Sequence, residues 1–494
     1  MKKVILSILL MLLPILASAE TVEIAGIWYN LDSITKEAEV TKNPNGSSSY
    51  SGDIEIPESV TYNKEKCSVT SIDLHAFKDC ISLTSVSIPN SVTYIGNDAF
   101  YGCSSLTSII IPNSVTFIGC NAFMSCSGLT SVTIPNSVTV IGDRAFYNCS
   151  SLNNINIPSS LTSIDNEVFR GCSGLTSVTI PNSVTSIREK AFFGCSGLTN
   201  IGFPNSVKSI GINTFYGCSG LKTVFIPKSL TSIGVGAFVN CTGLTRIKVE
   251  YGNPEYDSRN DCNAIIKTSA NELVTACKNT IIPQSVTSIG AYAYSCFSDL
   301  TSYTIPSHVT SIGGGAFSGC RNLSFVNIPN NVIFIGNRAF AGCTGLTSIT
   351  IPINVTLIDE YTFAQCTNLK SITIPQNVTE IRMSAIKDCS NLKDFYCWAE
   401  NVPFTITYDF KDTPIENATL HVPAVSINAY KQKSPWSQFG KIVALTDNDP
   451  KPTGISKVRA TKNDDETYYD LFGRKVIPNQ KGVYIHKGKK QLIK

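Results

Sequence analysis

Charge is scarce in this 494-residue chain: Asp, Glu, Lys and Arg make up 16% of it and the formal net charge is +3. The lysines and arginines are scattered until the last residues and form no basic stripe, which excludes electrostatic binding of nucleic acid as the main task. Histidine is scarcer still, with four residues, His75, His308, His421 and His486, far apart in the chain. No HExxH, GxSxG, phosphate-loop or dinucleotide fingerprint accompanies them, so no enzyme activity and no cofactor are expected. His75 and His308 fall at variable repeat positions, where a solvated side chain is the ordinary reading. Long apolar runs are missing too: Val4 to Leu16 is 13 residues long, too short to span a bilayer as a helix.

That short run has another meaning. Lys2 and Lys3 precede it and Ala17-Ser18-Ala19 follow it, which reads as a secretory signal peptide over residues 1–19, cleaved near Ala19. No cysteine follows the cleavage site, so no lipoprotein anchor is expected. The mature chain is expected to lack a transmembrane segment and to be secreted or held at the outer cell surface.

What the sequence has in abundance is repetition, which a fixed period reveals before any secondary structure is assigned. Prolines fall at 89, 112, 135, 158, 181, 204 and 227, each 23 after the last, and again at 283, 306, 329, 352 and 375. A phenylalanine column (Phe77, Phe100, Phe123 and on to Phe363) and a twelve-member cysteine column (Cys80 to Cys389) keep the same register. In one unit, Leu129-Thr-Ser-Val132-Thr-Ile134-Pro135, the second half alternates as a short strand does. Pro135 cannot donate to a strand ladder and stops it, and Asn136-Ser137 turn the chain. Val138 and Ile141 point back inward, Gly142 allows the next bend, Ala145-Phe146 begin a short helical or 3₁₀ turn, and Cys149 closes the unit. Copies stacked about 4.8 Å apart give parallel strands, with each apolar residue over its equivalent in the next turn. The fold class read from this is an elongated solenoid of 23-residue repeats.

A cysteine column in an exported chain invites a disulfide or metal reading. Once-per-turn ligands spread along a line instead of converging on a point, and no C-x-x-C pair or nearby histidine completes a site. Buried thiols packing in the stack are the reading adopted. Cys262 and Cys277 lie outside the column and flank a hairpin pattern, so there a cross-strand disulfide and two free thiols both stay open.

Two irregularities break the array. Pro57 to Pro89 spans 32 residues, with an excursion over Tyr62 to Thr70, and Pro227 to Pro283 contains an insert at 248–282. Insertions in solenoids project as loops, often on a binding face, so Tyr251, Tyr256 and Arg259 are candidate contacts, beside the plain reading of a tolerated hairpin. After Cys389 the period fades, and Phe395, Trp398, Phe404, Tyr430, Trp436 and Phe439 are expected to cover the open end of the stack.

The unit C-x-x-L-T-S-V-x-I-P-x-S-V-T-x-I-G-x-x-A-F-x-x resembles the BspA-type (Treponema pallidum-type) leucine-rich repeat over about Asp53 to Leu392. The resemblance implies a surface-exposed bacterial protein whose partners are host extracellular-matrix or plasma proteins, surface glycans or other bacterial surface proteins. Tyr469-Asp-Leu-Phe-Gly473 and Gly482-Val-Tyr-Ile485 resemble elements of the C-terminal sorting segments of Bacteroidetes proteins exported by the type IX system. The expected organisation is a signal peptide at 1–19, an N-terminal cap at 20–52, the leucine-rich-repeat solenoid at 53–392, a C-terminal cap at 393–445, a polar linker at 446–454 and a small β module at 455–494.

Outward strand positions carry short hydroxyls and amides, among them Ser131, Thr133, Ser177 and Thr179. That uncharged, donor-rich surface suits a protein strand or a glycan, although Ser and Thr also serve strand preference and solubility. Phe225, Arg246, Phe325 and Tyr396 interrupt the pattern on the face expected to be concave and are candidate anchors, since aromatic and Arg side chains dominate interface energies. The function expected is adhesion through this face and the insert. The alternative is a structural spacer without a ligand site of its own.

Overall fold

Each 23-residue unit forms one coil with two short strands, because the sequence alternates in two places and is broken by turn residues between them. In the computed structural model, which describes residues 20–46 and 50–452 and the backbone of 468–469, 475–476, 482–486 and 489–493, the chain divides into two units, Met1–Thr214 and Phe215–Lys494. The predicted signal peptide and its cleavage site lie outside the described residues.

The first unit opens with a meander. Glu20–Ile24 pairs antiparallel with Ile27–Asp32, which pairs antiparallel with Glu37–Thr41. The excursion near Tyr62 is a hairpin of Ser59–Tyr62 and Glu65–Ile72, and Glu65–Ile72 also lies parallel to Glu37–Thr41. Repeat strands then stack in parallel and in register: Val132 lies beside Ile109 on one side and Ile155 on the other.

A second parallel ladder runs through the residues after each proline, joining Tyr94–Ile95, Phe117–Ile118 and Val140–Ile141. The sequence pattern marks there only two inward side chains, Val138 and Ile141. Two residues per strand are too few for alternation to be visible.

The core is built of columns. Leu129, Val132, Ile134, Val138, Ile141, Ala145, Phe146 and Cys149 of one unit are all buried. Successive phenylalanine rings stack nearly parallel, with centroids 5.1 Å apart for Phe100–Phe123 and 5.2 Å for Phe123–Phe146. The Ala-Phe segment closes through single turns such as Cys149 N–H to the Phe146 carbonyl, 3.3 Å, the i to i+3 bond of a 3₁₀ turn. Gly142 serves close approach more than bending: a Cβ there would lie 2.5 Å from the Cys120 amide nitrogen of the preceding coil. The residue two before the ring adopts a left-handed conformation even where it is not glycine, as at Asp98 (φ 55°) and Arg144 (58°), each followed by alanine, and at Glu167 (57°), followed by Val168.

In the second unit the same coils recur, interrupted by the insert. The insert does not project as a free loop. Tyr256–Asp257 pairs antiparallel with Ile265–Lys267, which pairs with Glu272–Thr275, and the last strand joins the second ladder beside Ser288–Ile289. Cys262 and Cys277 are buried free thiols, and the Cys277 thiol donates to the Asn263 carbonyl at 3.2 Å. The end of the stack is covered by edge-to-face packing of Phe395, Phe410, Trp436 and Phe439, with Tyr430 against Trp436. Phe404 departs from expectation: it is exposed, and Trp398 is half-buried with its indole N–H on the Pro450 carbonyl at 2.9 Å. The C-terminal strands Tyr468–Tyr469, Lys475–Val476, Gly482–His486 and Lys489–Ile493 form an antiparallel sheet.

Candidate functional site

Strand geometry decides which residues each coil offers to solvent. On either side of a buried valine, residues such as Ser131 and Thr133 point outward, and register stacks them on equivalents: Ser131 beside Ser108 and Asn154, Ser177 beside Asn200. Ser131, Thr133, Ser177 and Thr179 are exposed, as the alternation predicts. Toward the C-terminal cap the pattern changes: Thr373 stands on the same side of its strand as Thr133 and Thr179 do, yet it is buried.

In the second unit the hydroxyl pattern gives way to a different chemistry. Phe225, 46% exposed, pairs in register with Lys248, and Thr223 pairs with Arg246 on the same two strands. Arg246 and Lys248 are both exposed. An aromatic ring beside two cations is thereby brought onto adjacent strands. Lys248 escaped the sequence reading, although it stands 23 residues after Phe225 and the repeat period alone places it there. Phe325 is half-buried on another strand pair, beside Ser302. Tyr396 is less available than its position implies: its ring stacks on His421 at 4.3 Å, and His421 Nε2 lies 3.1 Å from Asp394.

The three insert candidates separate. Tyr251 is fully exposed. Tyr256 is buried, and its hydroxyl accepts a hydrogen bond from the Ile233 backbone N–H at 3.0 Å, so it braces the fold and offers no contact surface. Arg259 is a clamp: it grips Asp257 through Nε (2.8 Å) and Nη2 (2.6 Å) and reaches Asn271 at 2.9 Å and Ser285 at 3.0 Å. Burial works to raise the Asp257 pKa, but the Arg259 side chain and backbone N–H and the Thr268 hydroxyl outweigh it and hold the carboxyl below its ordinary value.

The cysteine column is a thiol ladder. Along most of the column the S–H donates to the ring-residue carbonyl of the preceding coil, Cys126 to Phe100 at 3.0 Å, Cys343 to Phe317 at 3.2 Å and Cys320 to Tyr294 at 3.1 Å, while Cys80 lies 3.9 Å from the Lys78 carbonyl. Burial pushes the Cys172, Cys320 and Cys389 thiols up to about 12, which keeps them protonated and unreactive. Among the described residues no group of three or more His, Cys, Asp or Glu could hold a metal ion, and no helix is long and apolar enough to cross a membrane. His308 differs from the solvated side chain expected: both ring nitrogens are shielded without a hydrogen-bond partner, and burial draws its pKa down, only partly opposed by the nearby Pro283 carbonyl.

Stacked parallel strands under leucine, phenylalanine and cysteine columns define a leucine-rich-repeat protein. The chain belongs to the family described as BspA type leucine rich repeat region, whose profile matches residues 46–175, 162–285 and 287–414. No curated protein matches it. Among solved structures it is similar to a leucine-rich cell surface protein from Faecalibacterium prausnitzii A2-165, at 30% identity over 76% of this chain and 94% of that one, with a TM-score of 0.57. A leucine-rich-repeat protein from Bacteroides ovatus is 26% identical over 86% of this chain and all of that one (100%), with a TM-score of 0.47. The pneumococcal vaccine antigen PcpA shares the fold at 18% identity over 87% of this chain and 99% of that one, with a TM-score of 0.50.

Proposed function

We propose that this protein is an exported surface protein that binds a macromolecule on host or bacterial surfaces through the outward face of its repeat strands. The observation that carries the reading is the Phe225, Arg246 and Lys248 group, an exposed ring flanked by two cations on a rigid parallel sheet. Exposed aromatic rings on a soluble face cost solubility without stabilising the core, whereas at an interface they anchor. The two cations favour an acidic partner surface, such as an acidic protein segment or an anionic glycan, and steer its approach. Host matrix proteins, plasma proteins and other bacterial surface proteins are the classes to test. The description of the Faecalibacterium relative as a cell surface protein supports the location.

The test is saturable binding of the purified chain from residue 20 onward to a panel of matrix proteins, plasma proteins and glycans. Replacing Phe225, Arg246 and Lys248 together by alanine is expected to weaken binding by about 30-fold or more, the scale of one hot-spot residue at about 2 kcal/mol. Unchanged binding in the triple variant would move the site elsewhere, and a folded protein that binds nothing on the panel would leave the spacer reading.

A further inference from the structure

Successive coils are tied at the Ala-Phe turn by three backbone hydrogen bonds, given by the residues two before, at and two after the ring position. In one such set Tyr292 donates to Gly314 (3.0 Å), Tyr294 to Ala316 (2.8 Å) and Cys296 to Ser318 (2.8 Å). At the turn before the insert the series stops. Gly236, Phe238 and Asn240 hold the same three donor positions, and none of their N–H groups has an acceptor among the described residues.

The cause is a shortened turn in the insert. Leu273 takes the place of the inward isoleucine of the second ladder, beside Ile289. Regular coils reach phenylalanine five residues later, as from Ile312 to Phe317, but here Ala276 arrives after three. Ala276 N–H makes the rung a phenylalanine would make, to the Ala293 carbonyl at 3.1 Å, with a methyl group where the ring belongs. Two residues and one ring are missing, and a cavity of about 180 Å³ remains, lined by Gly236, Phe238 and Val239 on one turn and by Ala291, Ser295 and Phe297 on the other. One water needs roughly 10–15 Å³ of such space, so the cavity is not the berth of a single bridging water. The carbonyls of Ala291 and Ser295, which stand where regular turns accept a rung, receive no backbone donor from the coil before them.

We propose that this slot binds an extended peptide segment of a protein partner, whose backbone completes the missing rung. Donors at every second residue call for acceptors with the same alternation, which a polypeptide in extended conformation supplies and a glycan does not. The partner's carbonyls accept from Gly236, Phe238 and Asn240, its amides donate to Ala291 and Ser295, and an apolar side chain enters the ring space beside Phe238, Val239 and Phe297. Lys267 and Glu272 face each other in the strand register and both line the cavity. A mouth with one charge of each sign favours a segment of low net charge. The slot is separate from the strand face, so either site stands if the other fails.

The probe is a library of displayed heptapeptides panned against the purified chain from residue 20 onward, followed by amide hydrogen exchange. Enriched peptides are expected to slow exchange at Gly236, Phe238 and Asn240 by about tenfold or more at saturation. They are also expected to lose about tenfold or more in affinity to Ala276→Phe, which refills the ring space, and to Ala291→Trp, which obstructs the rim. Melting curves of both variants check that they fold. The inference is overturned if no enriched peptide depends on the slot in either folded variant, if binding leaves the three amides unchanged, or if a glycan panel protects them and peptides do not.

Discussion

A thiol in a protein core is a small apolar group with one weak donor, and this chain spends that donor the same way along most of its cysteine column. The phenylalanine carbonyl accepts the amide of its own coil's cysteine and the thiol of the next, as Phe123 does from Cys126 N (3.2 Å) and Cys149 Sγ (3.1 Å). The column was legible from its period, but this bond was not, because it joins residues 26 apart through a backbone atom that no side-chain pattern records. Reactivity follows from burial. Cys120 is exposed and Cys296 half-buried, while the column is closed to solvent. With a thiol reagent at pH 8, Cys120 is expected to react first, and Cys120→Ser to remove that fast phase, while column thiols react only as the protein unfolds. The sign of the pH dependence is fixed as well. The folded pKa of a column thiol is raised from 9.0 to about 12, as for Cys172, so its contribution is fully present below pH 9 and is lost as pH rises from 9 toward 12. Thermal melts in that range are expected to fall with pH, and more shallowly once several column cysteines are replaced by alanine.

Backbone strain is a second residue-scale feature. Gln365 holds φ 61° at a station where the two preceding coils use Gly342 (70°) and Gly319 (72°). A left-handed residue other than glycine costs about 1–2 kcal/mol, and part of the gain from glycine is lost to its freer unfolded chain. Gln365→Gly is therefore expected to stabilise by about 0.5–1 kcal/mol, read from denaturant unfolding. A destabilised variant would mean that the exposed glutamine side chain contributes more than its strain costs.

Among the elements, the insert shows what a repeat pattern reveals and what it hides. Ten residues beyond two regular repeats separate Pro227 from Pro283 (56 against 46), which flags the break plainly. The hairpin between Cys262 and Cys277 was legible, and Ile265–Lys267 and Glu272–Thr275 form it; that Tyr256–Asp257 adds a third strand, that Tyr256 is buried and that a turn ring is lost was not, since Tyr, Asp and Asn before Cys262 suit a loop as well as a strand. Phe225 and Arg246 were legible as departures from a hydroxyl pattern. The orphaned donors at Gly236, Phe238 and Asn240 were not, because backbone pairing leaves no mark in side-chain identity. The hairpin hangs on Arg259 and Asp257. Because the folded Asp257 pKa is lowered, its contribution is present above the ordinary carboxylate pKa of 3.8 and is lost as pH falls through the folded value. Protection against hydrogen exchange over residues 256–275, relative to the intrinsic rate at each pH, is expected to fall below about pH 4, and Asp257→Asn to show the same loss of protection at pH 7. Equal exchange in the two proteins at pH 7 would show that packing alone holds the hairpin.

At the scale of the whole molecule, each coil of a repeat stack contacts chiefly the coils next to it, so stability is approximately a sum over neighbouring coils. Loss at one place is felt most by the adjacent coils and decays along the array. The second unit offers a clean test, because Trp436, fully buried at its C-terminal end, packs against Phe395, Phe410 and Phe439 and donates its indole N–H to the Pro403 carbonyl at 3.1 Å. Trp436→Ala removes that ring at a cost of about 3–5 kcal/mol. Hydrogen exchange is then expected to lose protection first in strands Asp394–Cys397 and Ser371–Ile374, less in Ser348–Thr350, and least near Thr223–Ile226. Uniform loss across all four strands would show that the coils of this unit unfold as one cooperative block, and binding studies on truncated forms would then have to keep the cap.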